Sequence, residues 1–87
     1  MNALLVEFLG TMFFVFIIFA TDNILAIGAA ITISIYLGGG KLCAFNPAVA
    51  IVFYAAGKLD KKNLILYIIV DILGALAGFY LWKQIKK

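Results

Sequence analysis

The chain has 87 residues, of which 67% are hydrophobic, and its formal net charge is +3. Because soluble domains are roughly 45–50% apolar, this composition excludes an ordinary soluble domain and indicates an integral membrane protein. The seven basic residues are all lysines, and we expect them to contact lipid headgroups and not nucleic acid. There is no histidine, a single cysteine and no nucleophile beside a base, so the sequence predicts no enzyme, no metal site and no cofactor.

Three apolar segments predict transmembrane helices, at about residues 3–20, 24–39 and 64–82. A bilayer needs about 20 residues of helix, so the first and last segments can cross it. The second segment is shorter, but the glycines that follow it can lengthen the span. Only Thr21, Asp22 and Asn23 separate the first two segments, and these are turn and cap residues. We therefore expect an antiparallel hairpin and a third span in an all-α, multi-pass membrane protein.

The stretch between the second and third spans, at about residues 41–57, predicts a re-entrant loop followed by a half-helix. Asn46 is a preferred N-cap and Pro47 suits the first helical position, so a helix begins here, and Gly57 is its natural stop. Non-helical backbone at membrane depth is tolerated only where protein or a water-filled cavity surrounds it. The alternative is a fourth span with a proline kink.

Three short motifs follow one another along the chain: EFLGT from Glu7, FNPAVA around Asn46, and DILGALAG from Asp71. In their order and spacing the chain resembles the aquaporin and glycerol-facilitator family, the major intrinsic proteins. Members of that family consist of two inverted repeats, and residues 1–87 resemble a single repeat, a half aquaporin. The chain departs from the family pattern at Ala44, where a histidine is common, and at Asp71, where a glutamine is usual.

The resemblance implies a passive channel for water, with small neutral solutes such as glycerol as further candidates. The family's pore has two half-helices and this chain carries one, so we expect an antiparallel homodimer in which Asn46 meets its copy. If the family's tetramer is kept, four dimers would make an assembly of eight chains. The lysines divide almost evenly, four against three, between the two expected membrane faces, which predicts insertion in both orientations.

The resemblance also assigns roles to individual residues. It implies that the pore is lined by Asn46, Pro47 and Ala48 and that the filter is lined by Cys43, Val49 and Ile27. It implies that the backbone carbonyls of Ala44 and Phe45 face the pore. It also implies that the loop is anchored by Glu7 and Asp71.

Two other functions remain open at this point. A small dual-topology proton-coupled transporter or ion channel would use Glu7 and Asp71, the only carboxylates within the expected spans. Alternatively, the chain would be a structural half of a larger membrane protein, which functions only when assembled with a different subunit. The positive end of the half-helix favours the channel. Val49 stands at a position where the family's filter commonly has an arginine, so the transporter remains an alternative.

Overall fold

The computed structural model describes residues 2–86, and every regular element within them is helical. The four helices are α1 (Ala3–Ala20), α2 (Ile24–Leu37), α3 (Pro47–Ala55) and α4 (Lys61–Ile85). Two of them, α1 and α4, are long and apolar enough to cross a membrane. The all-helical prediction is therefore confirmed, and the sequence contains at least two candidate spans.

Each helix begins at an asparagine or aspartate whose side chain caps it. Asn2 accepts from the Leu5 N–H, Asn23 from the Leu25 and Ala26 N–H groups, Asn46 from the Ala48 N–H, and Asp60 from the Asn63 N–H. The first N–H groups of a helix have no partner inside it, and a cap of this kind contributes about 1 kcal/mol. The four caps therefore fix where each helix starts.

The bounds of α2 and α4 differ from the predicted spans. The helix α2 ends at Leu37 because Gly39 and Gly40 take left-handed backbone conformations, with φ of 62° and 87°. Its 14 residues make about 21 Å of helix. The helix α4 starts three residues earlier and ends three residues later than predicted, since Asp60 caps it before the charged Lys61.

The short helix α3 ends in a Schellman turn. Gly57, with φ 78°, donates its N–H to the Tyr54 carbonyl, and Lys58 donates to the Phe53 carbonyl. This pairing satisfies the last carbonyls of the helix and reverses the chain. As a result α3 is only nine residues long and its C-terminal end leads directly into the capped start of α4.

The helix α1 lies between α2 and α4, and α3 packs on α4. Close approach of α1 and α4 depends on two glycines of α4. A Cβ at Gly74 would lie 2.6 Å from the carbonyl oxygen of Phe8, and one at Gly78 would overlap the carbonyl oxygen of Met12. Backbone thus meets backbone along this crossing, as in the small-residue interfaces of membrane helices.

The interior of the bundle contains polar and charged groups among small apolar residues, while many large apolar side chains lie on its outside. Two of the fully buried side chains are the carboxyl groups of Glu7 and Asp71, while Ile24 and Tyr36 are about four-fifths exposed, at 81% and 82%. A water-soluble domain has the opposite distribution. This arrangement suits a chain whose outer surface contacts lipid or other membrane helices.

Candidate functional site

The loop of residues 38–46 connects the end of α2 to the start of α3 and folds back on α2. Lys41 donates its N–H to the Gly38 carbonyl at 3.2 Å. A Cβ at Gly38 would lie 2.7 Å from the Cys43 sulfur. Any larger residue at Gly38 would therefore push Cys43 and the loop away from the helix end.

Glu7 of α1 holds the loop through two backbone hydrogen bonds. The Ala44 N–H donates to Glu7 Oε2 at 2.7 Å, and the Phe45 N–H donates to Oε1 at 2.9 Å. The Glu7 side chain is fully buried, and hydrogen bonds to an ionised group in a buried site are stronger than neutral ones. These two bonds fix the peptide groups that lead directly into Asn46.

Phe45 is held in an unusual backbone conformation. Its φ of 55° lies in the left-handed region, which a bulky residue adopts only at a cost of about 1–3 kcal/mol. Its ring is buried against Gly10 of α1, where a Cβ would overlap the ring. The Gly10 contact and the Glu7 hydrogen bond together keep Phe45 in this conformation.

Tyr67 of α4 is a second support that the sequence did not predict. Its hydroxyl donates to the Leu42 carbonyl at 2.7 Å, and its ring packs with Ala44 and Ala50 in a small buried cluster. The available signal was its position one helical turn before Asp71, on the face of α4 that also carries Gly74. A tyrosine in an apolar span is also common at the membrane interface, so its position alone did not single it out.

Asp71 of α4 lies beside Glu7 in the same buried site. Its Oδ1 accepts a hydrogen bond from the Thr11 hydroxyl of α1 at 3.2 Å. Its carboxyl group also faces the Glu7 carboxyl and the backbone N–H of Asn46. The structure therefore brings the two predicted anchors together, and of the two it is Glu7 that accepts the Ala44 and Phe45 N–H groups.

Asn46 is exposed at the start of α3. Its Oδ1 accepts from the Ala48 N–H at 2.8 Å, which leaves its Nδ2 amide without a hydrogen bond to any of residues 2–86. The carbonyls of Ala44 and Phe45 likewise accept no hydrogen bond within the described part of the chain. Donor and acceptor groups are thus available beside the positive end of α3.

A groove of about 410 Å³ runs beside these groups. Its walls come from α1, from α4 and from the junction of the loop with α3, and they are largely apolar. The lining includes Thr11, Phe14, Phe45, Asn46, Pro47 and Asp71. A groove of this kind, mostly apolar with a few polar groups, is typical of a site that binds or passes small molecules.

The three predicted filter residues do not lie together in one chain. Cys43 is half-buried at the C-terminal end of α2, where its thiol donates to the Lys41 carbonyl at 3.3 Å, and Val49 is 37% exposed on the first turn of α3. Ile27 belongs to the first turn of α2, which is about 16 Å along the helix from Gly38. Ile27 can therefore share a constriction with Cys43 and Val49 only if the residues come from different chains or repeats.

Curated proteins with similar sequences cover most of the chain. Glycerol uptake facilitator protein-like 6 of Lactiplantibacillus plantarum is 40% identical over 88 aligned residues, which is 90% of this chain and 41% of that protein. Aquaporin-2 of the tardigrade Milnesium tardigradum is 44% identical over 59 residues, 66% of this chain and 18% of the relative. Aquaporin AqpM of Methanothermobacter marburgensis is 41% identical over 61 residues, 69% of this chain and 25% of the relative.

The chain therefore spans less than half the length of each of these relatives. No family model matches it, and no solved structure matches it either.

Proposed function

The chain belongs to the major intrinsic proteins, the family of aquaporins and glycerol facilitators, and on that premise we propose that it is a passive membrane channel. Its permeants are water and small neutral solutes such as glycerol. Relatives named as aquaporins and as a glycerol uptake facilitator support both classes of permeant. The predicted role as a channel follows from this membership together with the geometry around Asn46.

The observation that carries the proposal is the capped start of α3. Asn46 uses its side-chain oxygen for the cap, and its amide NH2 has no hydrogen-bond partner among residues 2–86, so the amide can donate to a passing water or hydroxyl group. The N-terminal end of a helix carries about half a positive charge, which repels cations and protons at a constriction. The free carbonyls of Ala44 and Phe45 provide acceptors along the same path.

We propose three spans for the chain, with α2 as the second. It is an apolar helix of 14 residues without a charged side chain, and the turn of residues 38–40 extends it toward the membrane surface. The half-helix α3 and the loop before it then enter and leave the membrane on one side. This places the start of α3 near mid-membrane, where non-helical backbone needs the protein support that Glu7 and Tyr67 provide.

A pore of this family's type requires a second half-helix, and we propose that a second copy of this chain supplies it in the opposite orientation. The positions of the filter residues support this arrangement. An antiparallel copy would bring its Ile27 from the far end of α2 to the Cys43 and Val49 of its partner. Each pore would then be symmetric, with the same apolar filter at both ends, and four such dimers would give eight chains.

Water flux in proteoliposomes tests the proposal. Vesicles containing the protein should shrink faster than empty vesicles in a hyperosmotic sorbitol solution, and Asn46→Ala should lose most of this gain. The matched control is Asn23→Ala, which removes an equivalent helix cap from α2 without touching the loop. Equal flux in the two variants would contradict the role of Asn46.

The same vesicles separate a channel from proton-coupled transport by the Glu7–Asp71 pair. A passive channel gives water and glycerol fluxes that follow only the osmotic or solute gradient. If solute uptake instead required a pH gradient and stopped in Glu7→Gln, the channel proposal would be wrong. If no flux appeared until another protein was added, the chain would be a structural half.

A further inference from the structure

The buried site between α1 and α4 contains a carboxyl oxygen with no hydrogen-bond partner among the described residues, Oδ2 of Asp71. The other oxygen of this group already accepts from Thr11, and the side chain is fully buried. Buried acceptors are nearly always paired in folded proteins. A proton on the Asp71 carboxyl group would remove the need for an external donor, because it would turn an unpaired acceptor into a donor beside the Glu7 side chain.

The two carboxyl groups differ in how their oxygens are satisfied. Both oxygens of Glu7 accept backbone N–H groups, from Ala44 and Phe45, and such bonds stabilise an ionised carboxylate. Asp71 has one hydroxyl donor on Oδ1, and none of residues 2–86 donates to its Oδ2. When two buried carboxyl groups are in contact, they do not both ionise readily, and the oxygen without a donor indicates that Asp71 is the group that keeps a proton.

The other groups around the pair do not supply a counter-charge. Within residues 2–86, the other titratable groups that face the pair are Tyr67 of α4 and Cys43 of the loop, and both are neutral at neutral pH. The Asn46 N–H also faces the Asp71 carboxyl, but Oδ2 still lacks a hydrogen bond. No lysine is among the groups that act on Asp71 within residues 2–86.

We propose that Asp71 is a protonated positioning residue, whose Oδ2–H donates to Glu7 and so completes the support of the loop before Asn46. The pair then holds one proton and one negative charge. Loss of that proton to solvent at alkaline pH would leave two carboxylates in contact, and their repulsion would displace Glu7 from the Ala44 and Phe45 N–H groups. Conduction would fall over the same pH range.

Infrared spectroscopy of the wild-type chain with ¹³C-labelled aspartate tests the protonation directly. We expect the C=O band of a protonated carboxylic acid at neutral pH, with the isotope shift of aspartate, and its loss in Asp71→Asn. Asp22→Asn removes an exposed aspartate in the α1–α2 turn and should leave the band unchanged. Absence of the band from the wild type, or its persistence in Asp71→Asn, would overturn the proposal whether or not the protein conducts water.

The pH profile of water flux tests the positioning role. The wild-type flux should drop as the infrared band disappears, whereas Asp71→Asn should conduct at all these pH values, because its amide donates to Glu7 without titrating. Asp22→Asn should follow the wild type. If the band disappears while the wild-type flux stays constant, Asp71 is protonated but does not position the loop, and that part of the proposal is wrong.

Discussion

Glu7 and Phe45 are 38 positions apart in the chain, and the Phe45 N–H donates to the Glu7 carboxylate at 2.9 Å. This hydrogen bond joins the first helix to the residue that precedes Asn46. It also contributes to holding Phe45 at a φ of 55°, since the strained conformation persists only while its surroundings enforce it. The geometry of the candidate pore therefore depends on a carboxylate outside the Asn46-Pro47-Ala48 sequence.

Substitution of Glu7 should separate its hydrogen-bonding role from its charge. Glu7→Gln keeps one acceptor oxygen and should retain much of the flux and stability. Glu7→Ala leaves two buried N–H groups without a partner, each costing about 1–3 kcal/mol, and should unfold at a clearly lower temperature in detergent and conduct little. Thermal unfolding and vesicle shrinkage on the same preparations measure both effects. Equal behaviour of Glu7→Ala and the wild type would mean that the loop does not depend on Glu7.

A pair of glycine variants tests the contact between Gly10 and the Phe45 ring. A Cβ at Gly10 would overlap that ring, whereas a Cβ at Gly28 of α2 would meet nothing within 4 Å. Gly10→Ala should cost about 1–3 kcal/mol through overpacking and reduce flux by shifting the loop. Gly28→Ala should be neutral or slightly stabilising, because alanine favours helix more than glycine does.

Unfolding midpoints and vesicle shrinkage rates of the two glycine variants give the comparison. Wild-type flux and stability in Gly10→Ala would show that the close approach of α1 to the loop is not needed. A comparable loss in Gly28→Ala would point to a general effect of the added methyl group.

Much of this site could be predicted from local sequence, because its decisive features are local. Asn46-Pro47 predicts a helix start from capping chemistry alone, and the structure places the start of α3 there. The neighbouring glycines indicate where the chain turns. The membership of the aquaporin and glycerol-facilitator family was likewise predicted from three motifs and is confirmed by the relatives.

The long-range contacts could not be predicted in the same way. The bond from Tyr67 to Leu42 and the meeting of Asp71 with Glu7 depend on how closely α4 approaches α1. That distance is set by backbone contact at Gly74 and Gly78. A glycine pattern in the sequence indicates which face of a helix packs, but it does not predict the crossing angle of two helices or how closely they approach.

Cys43 should react with mercurials from the water phase and block the channel. Its thiol is half-buried and donates to the Lys41 carbonyl, and the family resemblance implies that Cys43 lines the filter. Cys43→Ser should conduct and be insensitive, since a serine hydroxyl can donate to the Lys41 carbonyl in place of the thiol. The measurement is vesicle shrinkage before and after mercurial treatment, with recovery on adding a thiol. A conducting protein whose Cys43 cannot be labelled in intact membranes would show that the filter assignment is wrong.

The orientation of the chain in the membrane is the remaining test of the antiparallel pore. With three spans, the loop from Lys41 to Lys62 lies on one face with four lysines, and the C-terminus lies on the other with three. Orientation follows the imbalance of basic residues across short loops, so this near balance predicts both orientations.

Single cysteines at Asp22 and Lys61, in a Cys43→Ser background, report the orientation. Both positions are exposed, and a membrane-impermeant maleimide should label each of them from both sides in comparable amounts. As a matched control, Lys83→Gln with Lys86→Gln leaves one lysine on the C-terminal face. This variant should insert in one orientation, so that each site is labelled from one side only, and it should lose water flux because no antiparallel partner remains. If the unmodified background already gives one-sided labelling yet conducts, a copy of the same chain does not supply the opposite half-helix. The second half of the pore would then come from a different partner.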